Sequence, residues 1–231
     1  YVGGEFASAG GLATPQIAAW NGSAWSTLGA GLNGPVMALT LNGADLYAGG
    51  GFMYTGSQEL RYVARWNGTA WSALANADQS WLASPNYYQE VYALAFHDGT
   101  LHVGGNFRFS NHQASAMLTW NGSDWKATEA WESGLMLLNN SVRTMSVASG
   151  KLFAGGYFFA GDAFREGNLA NGSETQMSIA WFSGGHWRGL GGEAAAGKVN
   201  ALVAGANGDM YLGGEFLLAR GLSANRVAKL N

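Results

Sequence analysis

The side chains best suited to hold a metal or move a proton in this sequence are four histidines, His97, His102, His112 and His186. Metal sites use ligands at short, paired intervals, and these four are scattered without such spacing. His102 stands where Tyr47 and Tyr211 stand in matching contexts, so it is read as a packed substitute for tyrosine. Two carboxylates, Glu5 and Glu215, recur beside a phenylalanine, but Gly51, Asn106 and Tyr157 hold that place elsewhere and no ring of acids forms. There is no Asp-rich calcium loop, no Gly-x-Ser-x-Gly elbow and no phosphate-cradling loop. With no cysteine, disulfides, thiolate metal sites and cysteine nucleophiles are excluded together. The expectation is a protein that is not an enzyme and carries no cofactor and no metal.

The chemistry that does recur is of two other kinds. Asn-x-Ser/Thr acceptors for N-linked sugar occur at Asn21, Asn67, Asn121, Asn139 and Asn171. The first three sit in Asn-Gly pairs, which suit a two-residue hairpin whether or not sugar is attached; Asn139 and Asn171 fall in long irregular stretches where that explanation is weaker. The expectation is sugar on Asn139 or Asn171 and on some of the other three. Aromatic residues form the second group. Trp20, Trp66, Trp120 and Trp181, with Trp25, Trp71, Trp125 and Trp187, recur and are read as packing between neighbouring elements. Trp81, Tyr87, Tyr88 and Trp131 do not recur, and with Arg165 they form the candidate binding surface.

These residues are positioned by a repeat. A hydrophobic strand ending in Gly-Gly-x-Phe appears at Gly3, Gly49, Gly104, Gly155 and Gly213, at intervals of 46, 55, 51 and 58 residues. Such a period belongs to propeller blades. Each full copy reads as four short strands: an inner strand such as Val36-Met37-Ala38-Leu39-Thr40-Leu41, a tight turn, the Gly-Gly strand, then a hairpin of two strands carrying Trp-Asn-Gly-x-x-Trp. Repeats fall near residues 1–35, 36–90, 91–141, 142–198 and 199–231. Five second and third strands but only four first and fourth strands are present. This reads as an excerpt of a longer chain, either an open arc of a larger ring or a five-blade ring with imperfect closure. Because strand direction alternates, the short turns share one face, and the long connections, Leu74 to Glu90, Ala127 to Ser141 and Phe159 to Met177, share the other. Long loops of this kind carry function, so the second face is where a partner is expected.

The order of inner strand, turn, Gly-Gly strand and later tryptophan resembles the kelch repeat. A narrower likeness is carried by Gly10-Gly11, Ile17-Ala18-Ala19-Trp20-Asn21-Gly22, Trp25, Leu28-Gly29, Gly31-Leu32, Val36 and Ala38-Leu39. This segment resembles the repeat of the fungal cortical cell-polarity marker family and related secreted propeller proteins. The resemblance covers essentially the whole chain outside the three long loops; the third and fourth copies lack or blur the Leu-Gly-x-Gly-Leu element. It implies a large extracytoplasmic glycoprotein, often membrane-anchored, and no catalytic set. Kelch-type copper oxidases need a cross-linked cysteine that this chain does not have.

Composition agrees with that class. The 231 residues are 48% hydrophobic and 13% aromatic, enough to bury a sizeable core, and 36 glycines without a Gly-X-Y period point to many tight turns. A formal charge of −3 with 12% charged residues supplies no basic field, so nucleic acid is not an expected partner. No apolar run is long enough to span a bilayer as a helix. The sequence therefore predicts an all-β protein, a β-propeller of four-stranded kelch-like blades with about five represented and the terminal ones incomplete. It predicts a structural and interaction module of an extracellular or cell-surface glycoprotein, contacting other such proteins or copies of itself through the long-loop face. The alternative is a lectin-like propeller binding glycans through the loop aromatics.

Overall fold

The computed structural model describes residues 1–74, 89–108, 114–127, 141–159, 176–184, 186–189, 195, 197–205 and 207–230. Every regular element among them is a strand. The first repeat contributes β1 (Val2–Gly3), a side hairpin of β2 (Ser8–Ala9) and β3 (Leu12–Ala13), then β4 (Ile17–Trp20) and β5 (Trp25–Thr27). The second contributes β6 (Val36–Asn42), β7 (Asp45–Gly50), the side hairpin β8 (Tyr54–Thr55) and β9 (Gln58–Glu59), then β10 (Val63–Trp66) and β11 (Trp71–Ala73). In the third lie β12 (Glu90–His97), β13 (Thr100–Arg108), β14 (Ala114–Trp120) and β15 (Trp125–Ala127). The fourth holds β16 (Ser141–Ala148), β17 (Lys151–Phe159), β18 (Gln176–Ser183) and β19 (His186–Gly189). The last holds β20 (Val199–Ala204), β21 (Met210–Gly214), the side hairpin β22 (Leu218–Ala219) and β23 (Leu222–Ser223), and β24 (Val227–Leu230).

Within each repeat these strands form one antiparallel meander, with orders β1-β4-β5, β6-β7-β10-β11, β12-β13-β14-β15, β16-β17-β18-β19 and β20-β21-β24. Inner strands lie beside inner strands along the row β6, β12, β16, β20. The Leu202 and Ala204 amides even donate across sheets, to Thr144 Oγ1 at 3.1 Å and Ser146 Oγ at 3.2 Å. Successive sheets are thus stacked face on face about their inner strands, as propeller blades are. No strand pairing joins the first sheet to the last among the described residues.

Four hydrophobic clusters correspond to the four interfaces between consecutive sheets. The recurrent tool is a valine of one inner strand seated on the first glycine of the preceding sheet. A Cβ added to Gly155 would come within 2.7 Å of Val199 Cγ1 and 3.0 Å of Leu202 Cδ1. The second glycine has a different constraint: a Cβ at Gly50, Gly156 or Gly214 would fall on the carbonyl oxygen of Pro35, Ser141 or Lys198 at the start of the adjacent inner strand. Both glycines are therefore steric, as expected for a site of close backbone approach.

The turns differ in part from expectation. Asp98-Gly99 and Ser149-Gly150 are two-residue loops with both φ angles positive, 47° and 73°, then 49° and 71°, which is what the right-handed twist of a hairpin requires. The Asn-Gly turns at 21, 67 and 121 are instead four-residue loops, since Trp20 pairs with Trp25, Trp66 with Trp71 and Trp120 with Trp125. The asparagine carries no positive φ there; the glycine after it does.

The recurrent tryptophans pack as pairs across this loop, Trp20 with Trp25 at 5.2 Å and Trp66 with Trp71 at 5.4 Å between ring centres. Two expectations are corrected. In the fourth sheet Phe182, not Trp181, pairs with Trp187, at 5.3 Å, and Trp181 turns to the opposite face under the Lys151 ammonium. Trp20 is 48% exposed, because its face of the first sheet has no preceding sheet against it, whereas Trp66 and Trp71 are buried on Gly29 and Leu28 of the first repeat. The Trp71 indole N–H donates to the Leu28 carbonyl at 2.8 Å.

Gly155→Val should destabilise the fold by about 2 kcal/mol or more, beyond a propensity change, because the packed valine and leucine cannot both move aside. Gly213→Val, whose added Cβ meets only Ala201 at 3.9 Å, should stay within about 0.5 kcal/mol of the parent. Urea denaturation of the two variants checks the contrast, and equal losses would contradict the steric role.

Candidate functional site

A β-bulge interrupts every inner strand at the same place, between Val36 and Ala38, Val91 and Ala93, Val142 and Thr144, and Val199 and Ala201. Each bulge leaves one residue without a cross-strand partner: Met37, Tyr92, Arg143 and Asn200. Bulges re-aim side chains and occur next to functional sites. Here Met37, Arg143 and Asn200 are exposed and Tyr92 is half-buried, so the row leaves the core at the end of the inner strands where the long connections enter.

Polar contacts engage the row in three sheets, and one of them joins the third sheet to the fourth. The Tyr92 hydroxyl donates to Glu90 Oε2, and the Arg143 guanidinium of the next sheet lies 5.0 Å over the Tyr92 ring. In the fifth sheet Asn200 Nδ2 donates to Glu215 Oε1 at 3.4 Å, and the Lys198 ammonium lies 3.2 Å from Glu215 Oε2. Burial, reinforced by the hydrogen bond to and charge of Glu90, raises the Tyr92 phenol to about 12 against the opposing pull of Arg143. The phenol is therefore a donor at neutral pH. Hydrogen bonds from Lys198 and Asn200 hold the Glu215 carboxyl below its ordinary value. The strip presents a guanidinium, an ammonium, two carboxylates, an amide and an aromatic ring, which suits hydrogen-bonded recognition. Among the described residues no group of His, Asp or Glu is arranged to hold a metal.

Of the residues singled out from sequence, Trp81, Tyr87, Tyr88, Trp131, Arg165, Asn139 and Asn171 lie outside the described residues. Asn21, Asn67 and Asn121 are described and exposed. In each, the side-chain oxygen closes the four-residue loop: Asn21 Oδ1 accepts from Ser23 N, Ser23 Oγ and Ala24 N, all at 2.9 Å. Asn67 repeats this with Thr69 and Ala70, and Asn121 with Ser123 and Asp124. Such Asx turns satisfy backbone donors in a loop. They use the oxygen of the side chain and leave the amide nitrogen, the atom that carries a glycan, out of the turn.

Sequence reading missed the bulge row. Its mark lies in the packing: Val36 and Leu39 both reach Gly3, as Val199 and Leu202 both reach Gly155, and residues three apart share one face of a strand only if a residue is bulged between them. Glu215 was weighed only as a member of a ring of acids.

His102 is described as a packed substitute, and the structure places it so. It is 2% exposed on the face where Tyr47 stands in the second sheet, against Phe182 and Trp187 of the fourth sheet at 5.1 and 6.4 Å. Burial, helped by the nearby His97, lowers its pKa to about 4, against a small opposing pull from Asp98. His97 packs beside it, its ring centre 6.1 Å from that of His102 and 6.2 Å from that of Phe182, with Nε2 2.9 Å from the Gly150 carbonyl oxygen.

No family model matches the chain, and no curated protein matches it. Among solved structures it is similar to YjhT, at 17% identity over 84% of this chain and 63% of that one, with a TM-score of 0.46. It is also similar to YCF48 bound to D1 peptide, at 12% identity over 83% and 52% with a TM-score of 0.39, and to the GH74 xyloglucanase from Xanthomonas campestris, at 13% over 89% and 31% with a TM-score of 0.44. The chain thus spans less than two thirds of the length of each.

The unfolded chain protonates His102 near 6.5, while the folded one resists until about 4. Its contribution to stability is therefore complete above pH 6.5 and is lost as pH falls from there through about 4. Denaturant titration at pH 7.5 and 4.5 should show that His102→Tyr, the residue at positions 47 and 211, abolishes about 2 to 3 kcal/mol of the acid-induced loss. An unchanged difference between the two pH values would overturn the assignment.

Proposed function

We propose that this chain is a non-catalytic interaction module of an extracellular or cell-surface glycoprotein, built of kelch-like blades and related to the fungal cortical marker family that its repeat resembles. The observation that carries the reading is the bulge row. Packing between sheets uses the regular positions of every inner strand, and the one irregular position of each is turned outward at the long-loop end, where Tyr92 with Arg143 over its ring and, in the next sheet, Asn200 and Lys198 on Glu215 form two adjacent polar groups. This is a contact surface rather than a reaction centre: the phenol is engaged with Glu90, the carboxylate of Glu215 is paired, and His102, whose pKa is strongly lowered, is sealed between sheets. Partners are other proteins of the cell exterior. The exposed acceptor turns at Asn21, Asn67 and Asn121 support the glycoprotein part of the reading, because all three present the same side-chain geometry on the opposite, short-turn end.

Two measurements test this. Peptide mapping of protein from its native source should find hexose-bearing peptides at one or more of Asn21, Asn67, Asn121, Asn139 and Asn171; all five unmodified would remove the secretory assignment. Fluorescently labelled chain should bind intact cells of that source, and Tyr92→Ala with Arg143→Ala should weaken binding about tenfold, roughly 1.4 kcal/mol, with little change in thermal midpoint. Undiminished binding by the double variant would show that the bulge row is not the contact.

A further inference from the structure

Each of the first four sheets presents a glycine toward the next sheet, and each notch is filled in the same manner. Val36 and Leu39 close on Gly3, Val91 and Leu94 on Gly49, Val142 and Met145 on Gly104, and Val199 and Leu202 on Gly155. At Gly213 of the fifth sheet nothing closes; the nearest atom to an added Cβ is Ala201 of the same sheet, at 3.9 Å. The cross-strand neighbours around that glycine are apolar and bare. Val227, paired with Gly213, is 67% exposed, and Val203 and Tyr211, paired with each other, are 60% and 41% exposed. Their counterparts under the third sheet, Val63 and Tyr47, are each 4% exposed. Even the charged flank is repeated: Lys229 pairs with Asp209 at 2.9 Å beside Tyr211, as Arg65 pairs with Asp45 at 2.7 Å beside Tyr47.

We propose that this face of the fifth sheet is a docking surface for a partner sheet of the same repeat type, whose inner strand presents a valine and, three residues later, a leucine or methionine. The four filled notches define that chemistry. The interface continues the series already formed by the first four sheets, with the same glycine, the same flanking tyrosine and the same ion pair. A second copy of this chain is not the occupant, because each of its four inner strands is already seated on a glycine of its own preceding sheet. An isolated hydrophobic peptide also fits poorly, since the valine and leucine reach one notch only when a bulge within a paired strand brings them to one side.

The chain has no cysteine, so Val203→Cys creates a single thiol whose labelling rate reports whether the face is covered. In the full chain this thiol should label as fast as an exposed cysteine, with the protein monomeric in sedimentation. The probe is a copy of this chain's own residues 36–74 appended through a flexible linker after residue 231, which offers Val36 and Leu39. Labelling should slow at least tenfold in that fusion. It should return to the unfused rate when the appended valine and leucine are both changed to serine, or when Gly213→Val fills the notch. A second fusion carrying a copy of residues 142–189, with Val142 and Met145 as the inserted pair, guards against an appended repeat that does not fold. Failure of both fusions to slow labelling overturns the proposal. So does slow labelling of the unfused chain with a dimer in sedimentation, which would make a second copy the occupant.

Discussion

The structure depends on one steric fit, a valine side chain resting on a residue that has no side chain. In a sheet-on-sheet stack the faces can close to interior packing density only where one surface yields to the other. Gly3, Gly49, Gly104 and Gly155 yield, and Val36, Val91, Val142 and Val199 enter. The contact is local but its effect is global. It sets the depth at which each inner strand sits against its neighbour and thereby the rotation from one sheet to the next. Tryptophan pairs fill the wider space farther from the inner strands, with Trp66 and Trp71 closing on Gly29.

The same fit generates the surface. To place both Val36 and Leu39 on one notch, the inner strand needs an extra residue between them, and that residue cannot stay in the ladder. Met37, Tyr92, Arg143 and Asn200 are the outcome, delivered as a row to one end of the stack. Packing constrains their position and leaves their chemistry free, which is why four different side chains occupy equivalent places. The outward row and the hydrophobic stacking thus come from adjacent residues of one strand.

Substitutions inside the repeat show how much variation the frame accepts. His102 replaces tyrosine between the third and fourth sheets at the cost of a histidine that is hard to protonate. Phe182 replaces a tryptophan opposite Trp187, and Trp181 moves to the other face with Lys151 over its ring. Aromatic character is kept in both cases while the size and the polar group change.

From the sequence alone the all-β class, the strand order within each repeat, and the steric character of the Gly-Gly pairs could be read, because period, turn chemistry and the absence of a Cβ are local properties. Local patterns could not show that the Asn-Gly turns span four residues, because that depends on Asn21, Asn67 and Asn121 folding their side chains back onto the loop. Nor could they show that Phe182 rather than Trp181 faces Trp187, since one step of register moves a side chain to the other side of a strand. The bulge row and the bare face at Gly213 belong wholly to tertiary structure: a residue leaves its ladder only because a neighbouring sheet claims the positions on either side of it, and a glycine notch is open or filled according to what is packed against it.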